Sequence, residues 1–404
     1  MNAKHTGSDV LIVGGGPAGL MAGLLFARAG LRTVVLEKHA DFLRDFRGDT
    51  VHPSTLALFD ELGLLDALLE RPHDRVTELT GKVGGRPIRI ADFSHLPVRS
   101  RFIALMPQWH FLDFVATAAA RYPGFSLIRE CEAAALIEED RRVAGVRTVD
   151  GRSFRARLTI AADGRGSVLR AAAGLNVIDL GAPMDVFWFR LPKAPGDTNR
   201  TAGIFDTGRL LVTIDRGDYW QCAFVFAKGA AELIRGQGLD AFRTRVAEAE
   251  PELAPVVGSV TGWDQVKLLS VTLDRLERWH RPGLLCIGDA AHAMSPIGGV
   301  GINLAVQDAV AAANILAAPI AAGEDPDPLL GDVQSRRELP TRLIQRVQKI
   351  VQDRIVTAVL SGAPVEGPPF AARLLERFAL LRRIPARLIG LGIRREHIRS
   401  PQAR

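Results

Sequence analysis

Apolar positions run without interruption through residues 9–14 (DVLIVG), break at a glycine cluster, and resume with helical spacing in LMAGLLFARAG, which stops at Gly30. A second apolar run, RTVVLEK, closes on Glu37. This pattern predicts a buried strand, a helix with a glycine stop and a second strand. The strand-to-glycine transition returns at 158–170 (LTIAADGRGSVLR). It returns again at 283–310, where GLLCIGDAAH leads through a glycine loop into the helical INLAVQDAVAAANIL. Between these lie aromatic and β-branched runs, MDVFWFRLP (184–192), GRLLVTID (208–215) and YWQCAFVFAK (219–228). They predict strands of one antiparallel sheet, the last two joined by a hairpin at Arg216-Gly217-Asp218, with shorter strands in 76–103 around Gly84-Gly85. Alternation puts Trp220, Cys222, Phe224 and Phe226 on one face and Gln221, Ala223 and Val225 on the other; Phe187 and Phe189 oppose Trp188 and Arg190. One such face should line an apolar pocket, and period alone does not say which.

After Pro319 a turn-rich stretch, AAGEDPDPLLG, precedes the helical LPTRLIQRVQKIVQDRIVTAV. There Leu343, Val347, Ile350, Val351 and Ile355 share a helical face. Residues 363–369 break the pattern, and FAARLLERFALLRR continues as a basic amphipathic helix. We expect this tail to pack on the body with its arginines in water. Weak contact with a membrane surface and an oligomer contact, in a monomer or homodimer, are the other uses of such a helix.

With 404 residues, 47% hydrophobic and 24% charged, the chain is long enough for more than one core. The net charge of +6 is localised: residues 370–404 hold nine arginines against two glutamates. No basic strand with interleaved aromatics occurs, so nucleic acid is not an expected partner. Three dispersed cysteines form neither a disulfide framework nor a metal motif and suit a reducing cytoplasm. Neither a signal peptide nor a membrane span is expected.

Gly14-Gly15-Gly16-Pro17-Ala18-Gly19, set between strand and helix with Glu37 downstream, forms a dinucleotide-binding fingerprint. Gly14 makes the tight turn, Gly16 admits a pyrophosphate to the backbone, and Gly19 lets helix and strand approach. Glu37 is placed to accept from a ribose hydroxyl, and the helix N-terminus favours phosphate. In GDAAHAMSPIGGVGINLAVQDA (288–309), Asp289 and His292 raise the alternatives of a metal pair or an acid–base pair. No third ligand follows at suitable spacing, so no metal is expected and His292 is read as a structural hydrogen-bonding group.

Three strand-to-glycine transitions around one ligand suggest an extended cofactor. Together, GGGPAG with Glu37, Asp163-Gly164 and Gly288-Asp289 resemble the FAD-dependent monooxygenases of the para-hydroxybenzoate hydroxylase type, over about residues 9–310. The resemblance implies an α/β protein with a Rossmann-like FAD-binding domain, an interleaved antiparallel β-sheet substrate domain and a C-terminal helical segment. The expected division is 1–75, 106–175 and 271–318 for FAD, 76–105 and 176–270 for substrate, and 319–404 for the helical segment. The implied cofactor contacts are Gly14, Gly16, Ala18, Gly19, Glu37, Lys38, Arg47, Gln108, Asp163, Gly164, Gly288, Asp289, Pro296, Gly299, Gly301, Ile302 and Asn303. Arg47 and Pro296 are expected near the flavin ring, Gln108 and Asp289 along the ribityl chain. A helix starting near Gly301 would face anionic reduced flavin with its positive end.

The family's reaction, implied here, uses NADPH or NADH, FAD and O2, and hydroxylates a small aromatic or polycyclic substrate through a flavin C4a-hydroperoxide. Relatives often assist a phenolic proton with tyrosine or histidine. This chain has two tyrosines, Tyr122 and Tyr219, and Tyr219 beside the sheet hairpin is a weak candidate, so no catalytic side chain is assigned. An FAD-dependent reductase or dehydrogenase of isoprenoid or quinone-like compounds is one alternative, a non-catalytic ligand-binding flavoprotein another. FWFRLP only echoes a halogenase motif.

Overall fold

The computed structural model describes residues 7–43, 50–193, 201–362, 367–368 and 370–403. Arg47 lies outside the described residues. The strand Ser8–Val13 is buried on both faces, which explains its unbroken apolar run. Val10 and Ile12 pack on the helices Pro17–Arg28, Gln108–Ala119 and Gly301–Ala321. Leu11 and Val13 pack on the opposite side with Val143, Leu169 and Trp279. Ser8–Val13 pairs in parallel with Thr33–Leu36 and with Ser153–Ala161. Phe125–Ile128 and Leu284–Cys286 extend the sheet in parallel on either side.

The second sheet has seven strands, in the order Lys267–Ser270, Met184–Pro192, Tyr219–Ala227, Arg209–Asp215, Ala202–Asp206, Glu78–Val83 and Arg86–Asp92. It departs from the expected purely antiparallel sheet at one join, since Ala202–Asp206 and Glu78–Val83 run parallel. These two strands are far apart in the chain and meet as edges of two antiparallel units. Ile103–Leu105 belongs elsewhere, pairing with Thr50–Val51 and Asp74–Val76.

The aromatic face of this sheet is core. Phe187, Phe189 and Phe224 meet Phe242 of the helix Leu239–Ala249 edge-on, with ring centroids 6.0, 5.3 and 5.6 Å apart. The opposite face carries Val186, Ala223, Val225 and Leu210, and Ile297 from the late glycine loop packs against it together with Val356 and Val359. Trp188 and Val212 join this cluster to a second one containing Ile214, Ala386, Ile389 and Leu391. Contact with Ile297 therefore settles which face looks toward the loop.

Among the described residues one helix, the one containing Gly301–Ala321, is long and apolar enough to cross a membrane. With the loop before it, Ile297–Ala321 has a mean hydropathy of 1.5, enough to cross a bilayer, yet 72% of its most apolar stretch is buried inside the protein. It is the central core helix, packed against Pro17–Arg28.

Candidate flavin and substrate site

Ser8–Val13, Ser153–Ala161 and Leu284–Cys286 lie side by side and point the same way. Their carboxyl ends therefore bring Gly14–Gly19, Asp163-Gly164 and Gly288-Asp289 to one rim, the usual ligand edge of such a sheet. Gly14 adopts φ +107°, and a Cβ there would lie 2.3 Å from the Ala162 carbonyl oxygen, so the first and second turns touch through a position only glycine fills. A Cβ on Gly16 would meet nothing within 4 Å, leaving open space at the helix start. The helix Pro17–Arg28 has no side-chain cap, so its first N–H groups are available to an anion.

Glu37 is buried at the end of Thr33–Leu36, and its carboxylate already accepts from the Gly15 amide at 2.9 Å and the His39 amide at 3.0 Å. These bonds fix it beside the glycine turn. Lys38 points outward, 3.9 Å from Glu132. Asp163 keeps one oxygen, Oδ1, buried without a hydrogen-bond partner. Burial pushes its carboxyl above the ordinary range, while Ser167 and the Leu169 amide oppose that rise. A buried acceptor with no protein donor, beside an open glycine cradle and an uncapped helix, fits a ligand with phosphates and hydroxyls. Asp289 is half-exposed at the same rim, 3.6 Å from Arg165 of the second turn.

Behind the rim sits a buried charge network that pattern reading missed. Asp308, fully buried in Gly301–Ala321, accepts from the Gly288 amide at 3.1 Å and lies 2.6 Å from His292 Nε2. Its other oxygen accepts from Arg337 Nε at 3.0 Å, and Glu396 contacts Arg337 at 3.5 Å. Burial alone would raise the Asp308 carboxyl, but His292 and Arg337 hold it below the usual carboxylate range. His292 thus serves the hydrogen-bonded role expected of it, and no cluster of metal-ligating side chains occurs among the described residues.

The late glycine loop is held from both sides. Gln348 donates to the Ser295 and Ile297 carbonyls, each at 2.9 Å, and Gln345 donates to the Asp274 carbonyl at 2.7 Å. Thr50 donates to the Gly299 carbonyl at 2.7 Å. Asn303 turns its side chain to the protein, accepting from the His52 amide at 2.9 Å and the Thr55 hydroxyl at 2.7 Å. Pro296, Gly299, Gly301 and Ile302 thus form a loop and helix start clamped to the strand Thr50–Val51. Gln108 opens the helix Gln108–Ala119.

Residues 7–347 match the family model described as the FAD binding domain. The chain belongs to this FAD-binding family. The flavoprotein is 33% identical to the 6-methylpretetramide 4-monooxygenase of Streptomyces rimosus, over 99% of this chain and 95% of that one. It is 27% identical to the rifampicin monooxygenase of Streptomyces venezuelae, over 91% and 74%. Among solved structures, PqsL of Pseudomonas aeruginosa in complex with 2-aminobenzoylacetate superposes with a TM-score of 0.73, at 25% identity over 88% of this chain and 97% of that one. The flavoprotein is an FAD-dependent oxidoreductase of the monooxygenase type, related to para-hydroxybenzoate hydroxylase.

Tyr219 lies at the hairpin end of Tyr219–Ala227, with the Arg190 guanidinium 5.0 Å from its ring centre. His52 is buried, its Nδ1 2.8 Å from the Ile389 carbonyl oxygen, and burial depresses its pKa to about 4 although that carbonyl favours the charged form. The unfolded chain therefore binds this proton first. The contribution of neutral His52 to stability is complete above pH 6.5 and is lost as pH falls toward 4. Between pH 7 and pH 5 we expect a loss of about 2 kcal/mol in urea unfolding, and a flatter profile in His52→Gln. An unchanged slope in that variant would remove His52 from the account.

Proposed function

We propose that this flavoprotein uses NADPH or NADH and O2 to hydroxylate an aromatic or polycyclic compound, as its relative acts on 6-methylpretetramide. The convergence of three strand-end turns on one rim, with Ile297 of the late glycine loop packed on the second sheet, is the observation that carries this reading. Bound FAD supplies electron transfer from the nicotinamide and activation of O2. In the proposal Gly14, Gly16, Ala18 and Gly19 receive the pyrophosphate, Glu37 the adenosine ribose, and Asp163, Asp289 and Gln108 the remaining hydroxyl-bearing chain. Pro296, Gly299, Gly301 and Ile302 border the ring, and the uncapped start of Gly301–Ala321 turns its partial positive charge toward it. Asp308 and Gln348 hold that border still. Trp188, Val212 and Ile214 give the substrate an apolar roof that limits water. Three free, buried cysteines support a reducing compartment, the cytoplasm.

Asp289→Ala is expected to weaken FAD binding by about ten- to a hundredfold, the worth of a hydrogen bond to a charged group. Flavin absorbance per protein after gel filtration reads this directly, and full retention would remove Asp289 from the cofactor contacts. The hydroxylase reading itself is tested by anaerobic mixing with NADPH or NADH in the presence and absence of aromatic compounds. Substrate-accelerated bleaching supports it; fast bleaching without any ligand supports a reductase.

A further inference from the structure

The helix Leu330–Val351 buries a polar stripe beside its apolar core residues Leu330, Val333 and Ile344. Its buried side carries Arg337, which holds the Asp308 carboxylate, and Gln345 and Gln348, continued by Gln352, which hold the backbone at 293–297 and Ser295, while Thr341 donates back to the Arg337 carbonyl. Others of its apolar positions face outward. Leu339, Val347 and Ile350 are 50, 41 and 47% exposed, and Ile355 follows at 39%. The face that spacing singled out is therefore exposed at Val347, Ile350 and Ile355 and half-buried at Leu343 and Val351, because the loop's carbonyls take the polar side. Beyond residue 369 exposed apolar side chains recur. Phe370, Phe378, Leu380 and Ile384 are between 49 and 74% exposed, with Leu374 beside them. Leu388 packs near Ile344, joining the two segments in one layer.

Charge accompanies the exposed apolar residues. Residues 339–387 carry nine Lys and Arg against three Asp and Glu. Arg346, Arg354, Arg377, Arg383 and Arg387 have no carboxylate within ion-pair distance among the described residues. Large apolar side chains gathered in one region of a surface ask for a cover. A second copy meeting this surface through a two-fold axis would set arginine against arginine. An anionic lipid surface instead offers the complement, with acyl chains for the apolar stripe and headgroups for the arginines.

We propose that this C-terminal layer docks the enzyme peripherally on anionic bilayers. The holoenzyme should pellet with vesicles of phosphatidylcholine containing phosphatidylglycerol, and about tenfold less with pure phosphatidylcholine or at high salt. The double variant Ile350→Glu/Phe378→Glu should keep its FAD and its melting temperature while losing vesicle binding. Arg377→Gln, a milder change, should lower partitioning about fivefold. Equal binding to both vesicle types, or none to either, would overturn the proposal. So would a dimer in sedimentation velocity that the double variant converts to monomer, since that would assign the surface to a second copy.

Discussion

Asp308→Ala is expected to cost about 3–5 kcal/mol in denaturant unfolding, the penalty for leaving a buried charge without its partner. Arg337 is fully buried and its Nε lies 3.0 Å from Asp308, while Glu396, at 3.5 Å from Nη1, is the remaining carboxylate. Removing Asp308 also frees the Gly288 amide and His292, so the Gly288-Asp289 turn loses its anchor. FAD should leave with it. Asp308→Asn preserves the size of the side chain and part of the hydrogen bonding but not the charge. It should fall between wild type and alanine in stability and in flavin retained. A cost below about 1 kcal/mol in the alanine variant would show that Arg337 finds other compensation.

The glycine turn gives the second large effect, read from a pair of variants. A Cβ on Gly19 would sit 1.8 Å from the Gly14 carbonyl oxygen, a backbone clash no rotamer relieves. Gly19→Ala should therefore disturb the strand–turn–helix unit itself, lowering both stability and flavin content. Gly16 stands in open space with φ −78°, a conformation that alanine adopts readily. Gly16→Ala should fold with stability within about 0.5 kcal/mol of wild type and lose FAD affinity about a hundredfold or more. Equilibrium dialysis of the apoprotein with FAD, alongside thermal melts, separates the two behaviours. Normal FAD affinity in Gly16→Ala would mean that no phosphate approaches this turn.

How much of this was legible in the sequence depends on the range of the interaction. The rim was readable because strand, glycine turn and helix are local, and three such units carry their own signals in DVLIVGGGPAG, IAADG and CIGDAAH. The core helix was readable from its apolar density. Alternation divided the second sheet into two faces, but only the contact with Ile297, more than seventy residues further on, told which one looks toward the cofactor loop. The parallel join between Ala202–Asp206 and Glu78–Val83 lay beyond any local signal.

The tail shows the limit most clearly. Val347, Ile350 and Ile355 have helical spacing, and spacing reports that a face exists without reporting what it meets. The missed signal was the opposite stripe, Gln345, Gln348 and Gln352, whose amides donate to the Ala293, Ser295 and Ile297 carbonyls and to the Ser295 hydroxyl. Asp308 and Arg337 were missed for a related reason. A charged residue inside an apolar helix has no meaning until its partner, nearly thirty residues away, is known to arrive.

Oxygen transfer to an aromatic ring can be followed with isotopically heavy O2. The holoenzyme should be supplied with NADPH or NADH, heavy O2 and a panel of phenolic and polycyclic compounds that includes 6-methylpretetramide, with products read by mass spectrometry. A hydroxylated product carrying one heavy oxygen atom is expected, formed only when nicotinamide and O2 are both present. Substrate-stimulated nicotinamide oxidation that leaves every panel compound free of heavy oxygen, or conversion that proceeds without O2, would contradict it.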